Sequence, residues 1–461
     1  MNIDSAARQQ IERSGLFDAA WYLEQNPDVA ALGMDPLDHY VWLGYRLSRN
    51  PGPKFDAAAY LSRYQDVASS GYDPLLHYLR YGKAENRKIE IVRQPVLLPL
   101  SNISLLPDIT RLPGYAQCRP ERPTVLLCAH VAGRELFGSE RSLLDMLDAI
   151  TAMNCNVVVT IPNISNTLYL ERLKSNSVAV CVLAYGWWKA DWPDDEQAVA
   201  GFAHIIAEER VDIVHANTIV LREPLLAARR MGVPAVVHAR ELILHDDNLQ
   251  KTLGRDAEEI IADVWAHTDM LIANSHATAA CFDNRERQSR VVYNTAEFDQ
   301  LRALPAPRDQ GPLRVGLISS NRPKKGIWDF VEVAKHLGTE REDVEFLLIG
   351  PTHEYTADIE SKIEAGDLPN TLRVAGYRNN PVDAIVETDV VLSLSNFQES
   401  FGRTVLEAMA ASRPVIVYDH GAPPEVVVQG ETGFVVPYGD TEAVAQILEG
   451  LIADRRAVLR M

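Results

Sequence analysis

Val390-Val391-Leu392-Ser393-Leu394 leads directly into Ser395-Asn396-Phe397-Gln398-Glu399-Ser400-Phe401-Gly402-Arg403-Thr404-Val405-Leu406-Glu407-Ala408-Met409-Ala410. A near-continuous apolar run followed by a polar loop is the pattern of a strand covered on both faces. Gly402 permits a tight turn, and a helix is predicted to start near Arg403. Backbone N–H groups at a helix start lack partners within the helix and attract an anion. Glu399 falls in the loop and Glu407 within the helix, eight residues later. Each carboxylate can accept two hydrogen bonds from a vicinal diol, so the pair suits a ligand with hydroxyls at both ends and an anion between them. The competing reading is that Glu399 offsets the helix dipole and Glu407 is solvated.

Outward from this stretch the same signal repeats. Apolar runs at 124–129, 156–160, 178–183, 213–216, 235–239 and 270–273 alternate with helical stretches. A second series follows at 313–318, 344–349, 371–374, 390–394, 414–418 and 433–436. Continuous rather than alternating runs predict parallel strands buried by helices on both sides. The fold class read from this is α/β, with two tandem Rossmann-like domains, 123–295 and 296–461, facing a cleft. Ligands of such sheets sit beyond the carboxyl ends of the strands. Residues 295–310, rich in Pro, Ala and charge, are the expected hinge.

The N-terminal part is different. Phe17-Asp18, Tyr22-Leu23, Asp35-Pro36-Leu37 and His39-Tyr40 recur 38 residues later as Phe55-Asp56, Tyr60-Leu61, Asp73-Pro74-Leu75 and His77-Tyr78. Asp28-Val29 recurs likewise as Asp66-Val67, and each unit ends at a glycine, Gly44 or Gly82. Residues 1–90 therefore read as a small all-α module of two repeats, with His39 and His77 as core residues. Its role is open between packing or self-association and docking of a protein partner or acceptor. Residues 91–122, with prolines at 95, 99, 107, 113 and 120, read as an extended linker.

Composition narrows the function classes. A net charge of −18 without any Lys/Arg run argues against a nucleic-acid surface. No run of ~18 apolar residues suggests a membrane span, and Met1 to Arg13 is polar, so a cytoplasmic protein is expected, with room for peripheral association at the inner face of the membrane. The five cysteines are scattered, with no CxxC pair. There is no Asp-x-Asp metal motif and no GxGxxG loop.

Glu399 to Ala410, with Arg413-Pro414-Val415, Ala422-Pro423-Pro424-Glu425 and Gly430-Glu431-Thr432-Gly433, resembles the Glu-x7-Glu signature region of the retaining glycosyltransferase family 4. The resemblance spans roughly residues 122–461 and implies a GT-B fold that moves a hexose-type sugar from a nucleotide diphosphate sugar to a glycan or lipid-linked acceptor. It assigns the ribose to Glu407 and the transferred sugar to Glu399. Gly402, Arg403, Thr404 and Phe401 would hold the donor, and Gly376 and Tyr377 would flank its base. Lys325, followed by Gly326, matches the family's phosphate-binding lysine.

The family's arginine five or six residues before that lysine is missing, because Ser319 and Ser320 stand there; Arg322 or Arg403 is expected to substitute. Gly138-Ser139-Glu140-Arg141 resembles the family's phosphate and acceptor loop, and Ser139 with Glu140 also fits a helix cap. His238, in His238-Ala239-Arg240-Glu241, matches a histidine that approaches the donor sugar; His215 is a weaker candidate at the neighbouring strand end, and Asn274-Ser275 and Asn294 match further cleft segments. No cofactor and no metal are expected beyond the nucleotide sugar itself. The family normally ends with helices crossing back to the first half, and the chain stops where that segment would begin. The alternatives are a catalytically silent scaffold or binding protein on the same fold, and a sugar-nucleotide epimerase.

Overall fold

The computed structural model describes residues 5–26, 29, 34–47, 49–70, 72–89, 108–133, 136–338 and 340–461. The chain divides into two compact units, residues 1–98 and 99–461.

In the larger unit the apolar runs become strands of two separate sheets. The first comprises β1 (Thr110–Pro113), β2 (Thr124–Cys128), β3 (Asn156–Ile161), β4 (Ala179–Val182), β5 (Ile213–Ala216), β6 (Ala235–Ala239), β7 (Met270–Ala273) and β8 (Arg290–Val291). Its order is β1-β4-β3-β2-β5-β6-β7-β8. The second comprises β9 (Leu313–Ile318), β10 (Val344–Ile349), β11 (Leu372–Gly376), β12 (Val390–Ser393), β13 (Val415–Tyr418) and β14 (Gly433–Val436), in the order β11-β10-β9-β12-β13-β14. All pairings are parallel except that of β1 with β4.

Burial on both faces explains why the runs are continuous. Side chains alternate across a strand, so Leu126 and Cys128 of β2 enter one core with Phe202 and Ile205, while Val125 and Leu127 enter another with Leu143 and Leu147. In the second sheet Val390 and Leu392 pack with Phe330 and Leu448, and Val391 packs with Val405 and Ala408 on the opposite face. A polar residue at any of these positions would face a helix instead of water.

Two expectations need correction. The linker 91–122 lies outside the described residues up to 107, but Thr110–Pro113 is not a free spacer: it pairs antiparallel along β4 as an edge strand. Pro113 is tolerated there because it stands at the end of an edge strand, where its missing N–H interrupts little. The pairing is a long-range event, with Thr110 opposite Val182, and four residues carry no periodic signal of their own. The expected hinge 295–310 contains the short helix Phe298–Arg302, where Ala296 and Leu301 pack against Ile385 and Ala411 of the second half. That part of the segment is docked rather than loose.

The smaller unit uses one local device twice. Asp18 and Asp56 cap the helices Ala19–Gln25 and Ala57–Arg63 through the amides of Trp21 and Ala59. Asp35 and Asp73 cap Pro36–Trp42 and Pro74–His77, with proline just inside each helix, where its missing N–H costs nothing. Tyr22 is hydrogen-bonded to His39 Nδ1 at 2.9 Å, and Tyr60 to His77 Nδ1 at 3.1 Å. Gly44 and Gly82 end the repeats because a Cβ there would stand 2.2 Å from the Tyr22 hydroxyl and 2.4 Å from that of Tyr60.

The repeats differ at the second cap. Asp73 is buried and accepts hydrogen bonds from the amides of Leu75 and Leu76 and from the Tyr40 hydroxyl of the other repeat, whereas Asp35 is exposed. Burial raises the Asp73 carboxyl to about 6, against the pull of those donors. The folded state therefore keeps a proton that the unfolded chain gives up near the ordinary aspartate value. The stability of this unit is expected to fall as the pH rises from about 4 to 6, by up to about 3 kcal/mol. Asp73→Asn keeps a capping oxygen and removes the titration. Hydrogen exchange of the Pro74–His77 and Ala57–Arg63 amides, corrected for intrinsic rate, should lose this pH dependence in the variant; an identical profile in both proteins would count against it.

Candidate functional site

Among the parallel strands of each sheet in the larger unit the order reverses once, between β2 and β5 and between β9 and β12. Loops leaving adjacent strands at such a point diverge and open a crevice. The two crevices meet in a cavity of about 590 Å³. Gly138, Ser139, Arg141, Arg240 and Asn294 line it from the first half; Arg322, Lys325, Tyr377, Glu399, Phe401, Gly402, Arg403, Thr404 and Glu407 line it from the second.

The loop after β12 is tied to the loop after β9. Asn396 and Phe397 donate their amides to the Lys324 carbonyl at 3.0 and 3.3 Å. This approach needs Gly326, whose φ is +76° and where a Cβ would lie 1.8 Å from the Leu394 carbonyl oxygen. Lys325 is thereby held with its Nζ 2.9 Å from Glu399 Oε1, and the Ser395 hydroxyl donates to the same oxygen. Partial burial opposes the charge of Glu399, but Lys325 and Ser395 prevail and hold its carboxyl below the usual range. The Glu399 carbonyl also accepts the Ala422 amide at 2.8 Å, fixing the loop from its other side.

Gly402, at φ +81°, starts the helix Arg403–Ala410. Glu407 lies one turn in and is buried, with Oε1 2.8 Å from Arg141 Nη1 and 3.5 Å from Arg403 Nη2. Arg403 crosses the cleft in turn, bonding the Ser142 hydroxyl at 3.0 Å and Asp145 at 2.5 Å. Thr404 directs its hydroxyl to the Ile318 carbonyl at 3.5 Å, and Phe401 packs near Tyr293. The halves meet again at Glu425, which accepts the amides of His276 and Ala277 at 2.8 and 2.6 Å and so caps the helix His276–Phe282 of the other half. Asn274 donates to Ser400 at 3.1 Å.

Glu140, Gly376, Ser275 and the two histidines, His215 and His238, stand apart from the cavity wall. Glu140 is buried inside the start of the helix Gly138–Ala152, accepting the Phe137 amide at 3.0 Å and pairing with His130 at 3.6 Å. It closes a helix cap, and burial's penalty on its charge is outweighed by His130. Its neighbours Gly138, Arg141, Ser142 and Asp145 follow helical spacing onto the face turned to the other half. Gly376, at φ +80°, bonds through its carbonyl to the Gly350 amide at 3.1 Å and leaves the wall to Tyr377.

His238 lies deeper than the rest of the predicted site. It is 1% exposed, lies within β6 between β5 and β7, and stacks on His215 with ring centroids 5.8 Å apart. Burial, aided by the Arg240 cation, lowers both histidines, His215 to about 4, so both are neutral. The strand runs on through Ala239, so the first side chain free to enter the cleft is that of Arg240. Arg141 follows Glu140 on the helix Gly138–Ala152 and Arg240 follows Ala239 at the end of β6; helical spacing identifies the first, and only the position of the strand end identifies the second.

A second cavity, of about 860 Å³, adjoins the first and shares Ser139, Arg240, Lys324 and Phe397 with it. Trp187, Asn217, Thr218, Asp246, Asp247 and Gln398 give it hydroxyl-binding groups beside an exposed aromatic face. Among the described residues no helix is long and apolar enough to cross a membrane.

Residues 138–300 match the sequence model of Glycosyltransferase Family 4, and residues 306–461 match that of Glycosyl transferases group 1. The chain is 25% identical over 276 residues to the N-acetyl-alpha-D-glucosaminyl L-malate synthase of Bacillus anthracis, covering 57% of this chain and 71% of that protein. It is 32% identical over 176 residues to a phosphatidyl-myo-inositol mannosyltransferase of Mycobacterium leprae, covering 37% and 45%. The structure of Anabaena HepE in complex with UDP-glucose shares the fold, with a TM-score of 0.59 and 21% identity over 73% of this chain and 92% of that one.

Proposed function

We propose that this chain, a glycosyltransferase of the GT-B fold built from a family 4 half and a group 1 half, moves a hexose-type sugar from a nucleoside diphosphate sugar to a glycan or lipid-linked acceptor with retention of configuration. The observation that carries this reading is the pair Glu399 and Glu407, both on the cavity wall and flanking the start of the helix Arg403–Ala410. The free amides of that start suit the diphosphate. Glu407 suits the ribose at one end and Glu399 the sugar at the other. The adjoining 860 Å³ cavity, which shares Ser139, Arg240, Lys324 and Phe397 with the first, suits the acceptor.

In this mechanism the bond from the anomeric carbon to the phosphate oxygen breaks while the acceptor oxygen bonds to that carbon on the same face. The acceptor proton passes to the departing phosphate oxygen. Lys325, Arg403 and the helix amides stabilise the charge that develops there, so the transfer is read as metal-independent, and Glu399 orients the sugar. The relatives bear on the donor: HepE was captured with UDP-glucose, and the Mycobacterium leprae relative is named a mannosyltransferase.

A thermal-shift screen of nucleoside diphosphates and their sugars tests binding, because a ligand of the folded state raises its melting temperature. At least one nucleoside diphosphate is expected to do so, and proton NMR of the product should show the donor's anomeric configuration. Binding without turnover would favour a silent scaffold; inverted product would overturn the mechanism.

A further inference from the structure

The cations of the seam differ in how they are neutralised. Lys325 faces Glu399, Arg141 faces Glu407, and Arg403 faces Asp145 and Glu407. Arg240 lines both cavities, yet its hydrogen-bond partners are neutral: Nε donates to Asn217 Oδ1 at 3.0 Å, Nη1 to Asn294 Oδ1 at 2.5 Å, and Nη2 lies 3.4 Å from His238 Nδ1. The adjacent carboxylate, Glu241, spends its oxygens on the Thr218 hydroxyl and the amides of Arg240 and Ile219.

Burial pulls the Arg240 guanidinium down to about 10, with Arg403 pulling the same way and Glu241 and Asp145 opposing. A guanidinium in such a place is costly unless it meets an anion. Two neutral amide oxygens fix the planar fork in one orientation, and a fixed fork matches phosphate oxygens bidentately. The second half offers serines, Ser319 and Ser320, on the wall beside Lys325.

Resting on the donor reading above, we propose that Arg240 is a diphosphate-binding cation supplied by the first half, meeting the departing diphosphate from the side opposite Lys325. Asn217 and Asn294 are then positioning residues, holding the fork ready. Closure of the halves and stabilisation of the leaving group become one event, because the charge is complete only when both walls meet the same phosphates.

The test is titration calorimetry of the full chain, wild type and Arg240→Gln, with UDP, GDP and ADP and with the matching nucleosides. The glutamine variant is expected to lose at least tenfold in affinity for the diphosphate that wild type binds and less than threefold for its nucleoside, and Arg240→Lys to fall between. Equal losses for diphosphate and nucleoside would assign Arg240 a structural role and overturn the proposal. So would unchanged diphosphate affinity, including the case where only the acceptor KM rises. If the glutamine variant lacks a cooperative melt, the lysine variant carries the same comparison, with at least threefold selective loss expected. Failure of wild type to bind any of the three diphosphates would instead sink the donor reading itself.

Discussion

Lys325→Ala is expected to lower kcat at saturating donor by at least about tenfold, and by as much as about a thousandfold if the charge on the leaving phosphate is largely met by this side chain. Lys325 is held 2.9 Å from Glu399, with the following glycine packed against the Leu394 carbonyl, so its position is set by the fold of the two loops. The variant should also change the pH profile. Lys325 is the main influence holding the Glu399 carboxyl down against burial. Without it the carboxyl takes up a proton at higher pH, so the acid limb of kcat/KM moves upward. A steady-state profile from pH 4 to 8 reads both effects. Turnover unchanged at saturating donor would reject the phosphate role, and a lower kcat with an unmoved acid limb would separate Lys325 from Glu399.

Glu407→Ala is expected to weaken binding of the nucleoside diphosphate by at least roughly a hundredfold, since a hydrogen bond to a charged group contributes about 1.5–3 kcal/mol and a diol offers two. The same change leaves Arg141 and Arg403 facing each other without their shared carboxylate, and breaking a buried pair by removing one partner costs about 3–5 kcal/mol, so the melting temperature should fall as well. A loss of stability alone could weaken binding, and the 2′,3′-dideoxy nucleotide separates the two causes. Wild type and Glu407→Gln should bind that analogue with similar affinity while differing on the ribonucleotide, as a double-mutant cycle requires. Equal losses on both nucleotides would remove Glu407 from the ribose.

Much of this was legible along the chain. The runs at 313–318 and 344–349 became β9 and β10 with those bounds because strands buried on both faces must be apolar at every position. The loop and helix from Ser395 to Ala410 carried both carboxylates in a local segment, so their placement at the strand end needed no distant partner. His238 was placed at the cleft by its resemblance to a family segment near a strand end, whereas within β6 it is 1% exposed and lines neither cavity. Glu140 was legible as a cap as well as a loop residue, and the backbone of Phe137 decided between them. The edge strand Thr110–Pro113 had no signal of its own, because its pairing depends on β4 being there to receive it.

The sequence by itself determined the two buried sheets, the repeat, and the local strand–loop–helix unit with its two acids, since these follow from periodicity and chain geometry over short distances. Only the tertiary structure decided which cations meet them. Arg141 reaches Glu407, Arg403 reaches Asp145, and Arg240 enters the seam held by Asn217 and Asn294. Such pairings join residues as much as 266 positions apart, and long flexible side chains find their partners through the packing of whole domains rather than through any local pattern.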